Sequence, residues 1–461
     1  MAETPVPTTE TPERPPARNV AEHISRTVRL AVPLMLGRAG VLMMVTADTV
    51  MIGRVAADEV AFYGMGGVPF LVFLIFGIGV LTGAVPLVAQ AVGAGRTAEC
   101  GRIWKLAMLT GGLLGCLGMV VLAHAEWLLT LVGQETSLAA GAAGVTWVLA
   151  LGQPFLLMHY ASASFMEALG RPLPGMMLML AANILNVLLN WLFMFEPFGL
   201  EPMGATGAAL GTTIVRMCLF FALAGYIWFA LDRQMYGIGR LGPDAGRLWL
   251  KLLRTGFPFG VAQGIETSAF QAVAIFAGWL GTLTMAAYTA SMSLIALLYM
   301  LTSGLAVATS IRVANALGRM DAEGMRLAAN VGFAMTLALT ALLAMALWLL
   351  QASIAALYLA EPQAARLMMS ALWLVGIIAI FDGTQVMLMS VLRGASDTWF
   401  PSGLHLIACA IVLAPAAWYG AIGLGFGLQG LLGGMAAGLV VATLLLALRK
   451  RTLFAKDIRQ L

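Results

Sequence analysis

Three carboxylates and a small set of amides and hydroxyls sit where a chain this apolar has least reason to place them. Asp48 interrupts VTADTVMIG (45–53), Glu266 interrupts GVAQGIETSAF (260–270) and Asp382 interrupts IFDGTQVM (380–387). A carboxylate in hydrocarbon costs roughly 2.5–3.5 kcal/mol on insertion scales, and such groups mark ion or proton paths or are paired. In AANILNVLLNWLF (181–193), Asn183, Asn186 and Asn190 are spaced three and four apart, which places them on one face of a helix. With Asp48 and the hydroxyl of Thr212, that face points to an oxygen-lined cavity. Two plainer readings compete: amides that only join helices by hydrogen bonds, and an Asp48 that only pairs with Arg38 or Arg216. The four histidines and four cysteines are scattered, without zinc spacing, so neither a metal cluster nor a catalytic centre is expected.

The elements that must position these groups are membrane helices. Of the 461 residues 61% are hydrophobic and 10% charged, whereas soluble domains carry about 25% charged residues. Apolar runs near the length needed to cross a bilayer recur at about 29–53, 61–92, 103–123, 137–166, 174–195, 205–231, 255–279, 285–314, 327–350, 366–392, 401–419 and 426–448. The expected fold class is therefore an all-α integral membrane protein of twelve spans. Residues 1–25 are polar, rich in Pro and Thr, lack the apolar core of a cleaved signal, and read as a disordered tail. Residues 449–461 form a basic tail.

Lys and Arg concentrate on one side of this arrangement, at Arg96, Arg102, Lys105, Arg171, Arg247, Lys251, Arg254, Arg319, Arg326, Arg393 and in both tails. The opposite loops hold Asp58, Glu126, Glu135, Glu196, Glu201 and Glu361. The positive-inside rule then places both termini in the cytoplasm of a multi-pass protein of the inner (plasma) membrane.

The chain also repeats itself. RLAVP (29–33) matches RTGFP (254–258) and VAQAVG (88–93) matches VANALG (313–318), both at an offset of 225. Gly170 is matched to Gly394, and GATGAAL (204–210) to GLQGLLG (427–433). Two six-helix, pseudo-symmetric lobes follow, 26–231 and 254–448, joined by a polar linker at 232–253. Parallel repeats of this kind form a substrate site between the halves. The acids break the repeat, so each lobe has its own polar site. By helix rise, Glu266 and Asp382 each lie about 15 Å from the basic side. Two acids sharing a depth in low dielectric cannot both stay ionised without a cation, which makes them a plausible H⁺ or Na⁺ exchange pair. The 29 methionines fit either an adaptable apolar cavity for varied ligands or ordinary helix packing.

Over residues 26–448 the chain resembles the multidrug and toxic compound extrusion (MATE) family, in its bacterial NorM-like branch. The resemblance is carried by DTVMIG (48–53), PLVAQAVGAGR (86–96), LNVLLNWLF (185–193), GATGAALGT (204–212), GFPFGVAQGIETSAF (256–270), SIRVANALGR (310–319), FDGTQVMLMSVLRGASD (381–397) and GFGLQG (425–430). It implies drug export in exchange for H⁺ or Na⁺ by two lobes that rock between outward- and inward-open states. It also implies roles for Asp48, Glu266, Asp382, Asn186, Asn190 and Thr212. Ile378 stands where relatives can carry a tyrosine one turn before the aspartate, which removes an aromatic contribution to cation binding there.

The resemblance further implies small organic cations and membrane lipids as partners, no nucleic acid, no cofactor beyond the coupling ion, and function as a monomer. A flippase for lipid-linked oligosaccharide, which needs several cavity arginines, is a rival; only Arg38 and Arg216 read as deep. An amine-uptake carrier on the same scaffold is another. A membrane enzyme would need a nucleophile–base or metal cluster, and none is visible.

Overall fold

The computed structural model describes residues 19–55, 57–131, 134–195, 203–239, 241–359 and 361–455. The tail segments 1–18 and 456–461, and the loop bearing Glu196 and Glu201, lie outside them. In chain order the helices are α1 (Val20–Ile52), α2 (Ala57–Leu81), α3 (Ala84–Gly93), α4 (Thr97–Leu122), α5 (Ala125–Leu131) and α6 (Thr136–Leu151). They continue as α7 (Gln153–Ala168), α8 (Leu173–Met194), α9 (Gly204–Ala230), α10 (Arg233–Tyr236), α11 (Ala245–Trp279) and α12 (Thr282–Gly318). The rest are α13 (Ala322–Leu349), α14 (Gln351–Tyr358), α15 (Pro362–Gly394), α16 (Trp399–Ile407), α17 (Ala414–Trp418) and α18 (Gly427–Phe454). Two π-helical stretches, Ala408–Leu413 and Tyr419–Gly423, join α16 to α17 and follow α17.

Among the described residues, ten segments are long and apolar enough to cross a membrane alone, and α6 with α7, bent by 43°, make an eleventh. α11 completes the twelve. It has the length, at 35 residues, but Gln263, Glu266, Thr267, Ser268 and Gln271 lower its hydropathy.

Local chemistry moves several expected boundaries. α1 begins at Val20, inside the segment read as a tail, because Asn19 caps it by accepting from the Glu22 amide at 2.8 Å and Glu22 pairs with Arg26 one turn on. The linker is partly built: Asp232 caps α10, and Tyr236 and Ile238 are buried in the core. α11 starts at Ala245, well before 254, and α18 continues to Phe454 with Arg451 in its last turn, where a cation is favoured.

The matched prolines Pro33 and Pro258 both lie inside helices, α1 and α11. At the ends of α3 and α12, Gly95 and Met320 both have positive φ and donate to the carbonyls three residues back. The same turn recurs after α7 at Gly170 and after α15 at Ser396. The counterpart of Gly170 is thus Ser396, not Gly394. Gly394 is a glycine for another reason: a Cβ there would lie 2.7 Å from the Ser310 carbonyl oxygen.

The basic ends of the two lobes are sealed together. One apolar cluster runs through both lobes, from Leu30, Leu34 and Val88 to Ile311, Val313 and Leu392. Towards the opposite face the clusters separate, one confined to the second lobe and four smaller ones to the first. Backbone meets backbone along the seal. A Cβ on Gly93 would lie 2.1 Å from the Asn315 carbonyl oxygen, and one on Gly318 would lie 2.2 Å from that of Gln90. Each residue of the first contact is 225 positions from its counterpart in the second. Gly79 against Gly260 and Gly304 against Met35 form another such pair. The lobes are therefore sealed at the basic face and, among the described residues, share no apolar cluster at the other.

Gly93→Val should force α3 from α12 and raise the labelling of a cysteine placed at Asn315 several-fold. Unchanged labelling would mean the seal absorbs the side chain without parting.

Candidate functional site

In the first lobe α8 presents one apolar and one polar face, as its sequence requires. Ile184 and Leu188 are exposed on the outer surface, while Asn186 and Asn190 are fully buried. They face Asp48, which is 1% exposed near the end of α1. Asn190 Nδ2 donates to Asp48 Oδ1 at 2.6 Å; Thr212 Oγ1 on α9 and the Tyr63 hydroxyl on α2 donate to Oδ2 at 3.0 and 2.9 Å. Asn186 Nδ2 donates to Thr212 Oγ1 at 3.3 Å. Three helices thus converge on the α1 carboxylate through neutral donors.

The amide oxygens of Asn186 and Asn190 are buried without a partner among the described residues. Acceptors left unsatisfied beside a carboxylate form a ready cation or proton site, since an unpaired buried oxygen costs ~1–3 kcal/mol.

Asn183 does not join this group. Its amide donates to the Met179 carbonyl of its own helix at 2.9 Å. Tyr63 was missed, because its only signal is a hydroxyl in an apolar run. Neither arginine forms an ion pair with Asp48. Arg216 stacks on Phe70, 4.7 Å from the ring centroid, and reaches Asp48 only through its field. Arg38 instead faces Tyr160, Glu167 and Tyr299. Glu167, a further acid of the interior, was not singled out. Arg393, read as a loop charge, is 5% exposed inside α15, donates to Ser390 Oγ at 3.0 Å and lies 4.1 Å from the Phe259 ring centroid. A third deep arginine is therefore present.

In the second lobe, Glu266 on α11 and Asp382 on α15 are both buried and within electrostatic range of each other. Asp382 has no hydrogen-bond partner among the described residues. Tyr299 on α12 is in range of both acids, so an aromatic hydroxyl absent at Ile378 arrives from another helix. One of the histidines, isolated along the chain, meets two other polar side chains in space. His405 Nε2 on α16 lies 3.3 Å from Glu266 Oε2, and Cys409 Sγ lies 3.6 Å from the same nitrogen. Counted along the chain, His405 and Cys409 looked isolated; their spacing of four within one span was the usable signal. The methionines Met44, Met166, Met194, Met368, Met387 and Met435 are buried in helix packing.

Twelve spans in two lobes, each holding a buried carboxylate site, define a multi-pass membrane transporter. The chain belongs to the MatE family, whose sequence model matches residues 33–192 and 258–419. It is 30% identical over 447 residues to the "Probable multidrug resistance protein NorM" of Caulobacter vibrioides, covering 97% of this chain and 95% of that protein. Its identity to the Bradyrhizobium diazoefficiens protein of the same description is 31% over 450 residues, covering 95% of each. A crystal structure of the eukaryotic MATE transporter AtDTX14 shares the fold with TM-score 0.87 at 20% identity, over 96% of this chain and 99% of that one. An aspartate-to-asparagine mutant of the Vibrio cholerae MATE transporter VcmN gives TM-score 0.86 at 19% identity, over 95% and 99%.

Proposed function

We propose that this chain is a secondary active multidrug exporter, moving organic cations and amphipathic compounds out of the cell in exchange for H⁺ or Na⁺. The observation that carries the reading is Asp48, a carboxylate held by three neutral donors in a lobe that, among the described residues, shares no apolar cluster with its partner on the outer side. Such a group can change its charge without breaking an ion pair. Drug and coupling ion then compete through the state of the first lobe, while Glu266 and Asp382 act as the exchange pair of the second. The seal at the basic face corresponds to one end state of alternating access, the outward-open one.

The NorM relatives are described as multidrug resistance proteins, which supports drugs as substrates. Arg393 adds a basic group that a flippase would use. Its Nη2 donates to Ser390 and the guanidinium lies over Phe259, and Glu167 is within electrostatic range of Arg38, so cations remain the better-fitting substrate. The decisive experiment is transport of a cationic dye in proteoliposomes, first under an imposed Na⁺ gradient and then under a pH gradient. Dye movement with neither gradient coupled to it would sink antiport.

The orientation has its own test. Glu135→Cys should react with an impermeant maleimide added outside intact cells, and Arg247→Cys should not. Labelling at position 247 in sealed cells would invert or break the topology with both termini in the cytoplasm.

A further inference from the structure

Three different donor atoms meet at one point in the second lobe. The Glu266 carboxylate, the His405 imidazole and the Cys409 thiol are all buried, and their ligand atoms lie within 4.8 Å of one another. Hydrogen bonding alone serves this arrangement poorly. Glu266 Oε2 and Cys409 Sγ both approach His405 Nε2, and one ring nitrogen either carries a proton to give or a lone pair to receive. It can satisfy one neighbour at a time. His405 Nδ1 is buried without a partner among the described residues, so nothing on the far side of the ring binds it to a single tautomer.

A tetrahedral metal ion satisfies all three groups. With bonds of about 2.0–2.1 Å to nitrogen and oxygen and about 2.3 Å to sulfur, zinc sets tetrahedral edges of about 3.3 Å for N···O and about 3.6 Å for N···S. The two separations in the structure are 3.3 Å and 3.6 Å. Asp382 lies in electrostatic range of Glu266, His405 and Cys409 but outside the group whose ligand atoms lie within 4.8 Å of one another, so it adds negative charge nearby and leaves the fourth position to a water.

We infer that this chain binds a soft divalent transition metal of the zinc type through Glu266, His405 and Cys409, with a water in the fourth position. The thiol proton leaves to solvent as the metal–sulfur bond forms, and the imidazole ligates as the neutral base. Sodium does not favour such a set, because hard cations prefer oxygen ligands and a thiolate selects softer metals. The inference goes beyond the exchange reading and does not depend on transport. It shares Glu266 with the proposed exchange pair, so metal and coupling ion would exclude each other.

The test uses the full-length protein in detergent with Cys116→Ser and Cys218→Ser, which removes the two exposed thiols. Cobalt(II) added to this protein should bind at one ion per chain. It should give a thiolate-to-cobalt charge-transfer band in the near ultraviolet together with strong tetrahedral bands in the visible, and zinc should abolish both. Adding Cys409→Ser should remove the charge-transfer band, whereas Cys100→Ser should leave it. A spectrum without the band while Cys409 is present would overturn the inference, and so would a band that survives Cys409→Ser. The first of these readings needs no further variant to fold. A protein that exports nothing can still give the band, so failure of the transport reading is told apart from failure of this one.

Discussion

Asp48→Asn should reach the membrane in normal amount and lose coupled export by at least about tenfold, a loss worth ~1.4 kcal/mol or more. The geometry explains why folding should survive. Oδ1 still accepts from Asn190 in the amide. The group replacing Oδ2 becomes a donor, and its two neighbours, Tyr63 and Thr212, are hydroxyls that accept as readily as they donate. The substitution fixes the site in a state resembling the protonated acid, so drug binding should persist in altered form while exchange stops. Asp48→Glu should keep part of the activity, since it keeps the ionisable group and displaces it by one methylene. If Asp48 served only to neutralise Arg216, removing the charge would strand a buried guanidinium and the protein would be lost. Rescue of such a loss by also replacing Arg216 would return Asp48 to a structural role, as would wild-type export by Asp48→Asn.

Glu266→Gln and Asp382→Asn should each reduce coupled export by about tenfold or more with expression unchanged, and the double variant should be no worse than either single one. Residues that act as one unit are non-additive in this way. The two acids lie on different helices and share one field, so neutralising either leaves a single carboxylate that cannot trade a cation against its neighbour. Near-normal export by either single variant would remove that residue from the mechanism. Losses that add would divide the pair into two independent sites.

The fold was legible because its signals are long-range averages. Runs of apolar residues, the sidedness of Lys and Arg and the 225-residue offset each draw on many positions, and the matched turns at Gly95 and Met320 and the matched prolines agree with that offset. Where a single glycine carried the match it misled. Gly394 is small because Ser310 approaches it, and the left-handed turn falls to Ser396.

The first-lobe site was half legible. Three- and four-residue spacing placed Asn186 and Asn190 on the buried face, but it also included Asn183, which satisfies itself within its own helix. Tyr63, Glu167, Tyr299 and His405 are single polar groups whose partners come from other helices. Nothing in a linear pattern says that α16 lays His405 against α11. That contact depends on packing angles, and a π-helical stretch opens directly after α16 with Cys409 in it.

The seal at the basic face bears on how such a chain can be assembled. Paired contacts such as Gly93 with Asn315 and Gly318 with Gln90 are those of an isologous interface, in which one patch is presented twice about a two-fold axis. In effect the chain is a homodimer interface built from two unequal subunits and tied by a tether. A free first half would find, in a second copy of itself, a surface much like the one it meets in the second half. One contact opposes such a self-pair: a Cβ on Gly256 would lie 1.8 Å from the Val80 carbonyl oxygen, and the counterpart of Gly256 in the first half is Ala31. Such a self-pair would hold two Asp48 sites and no Glu266, and could not divide binding from exchange. The tether prevents this by raising the effective concentration of the unlike half. Severing the chain between α10 and α11 should therefore yield halves that sort partly into like pairs, with activity falling in proportion to the mispaired fraction.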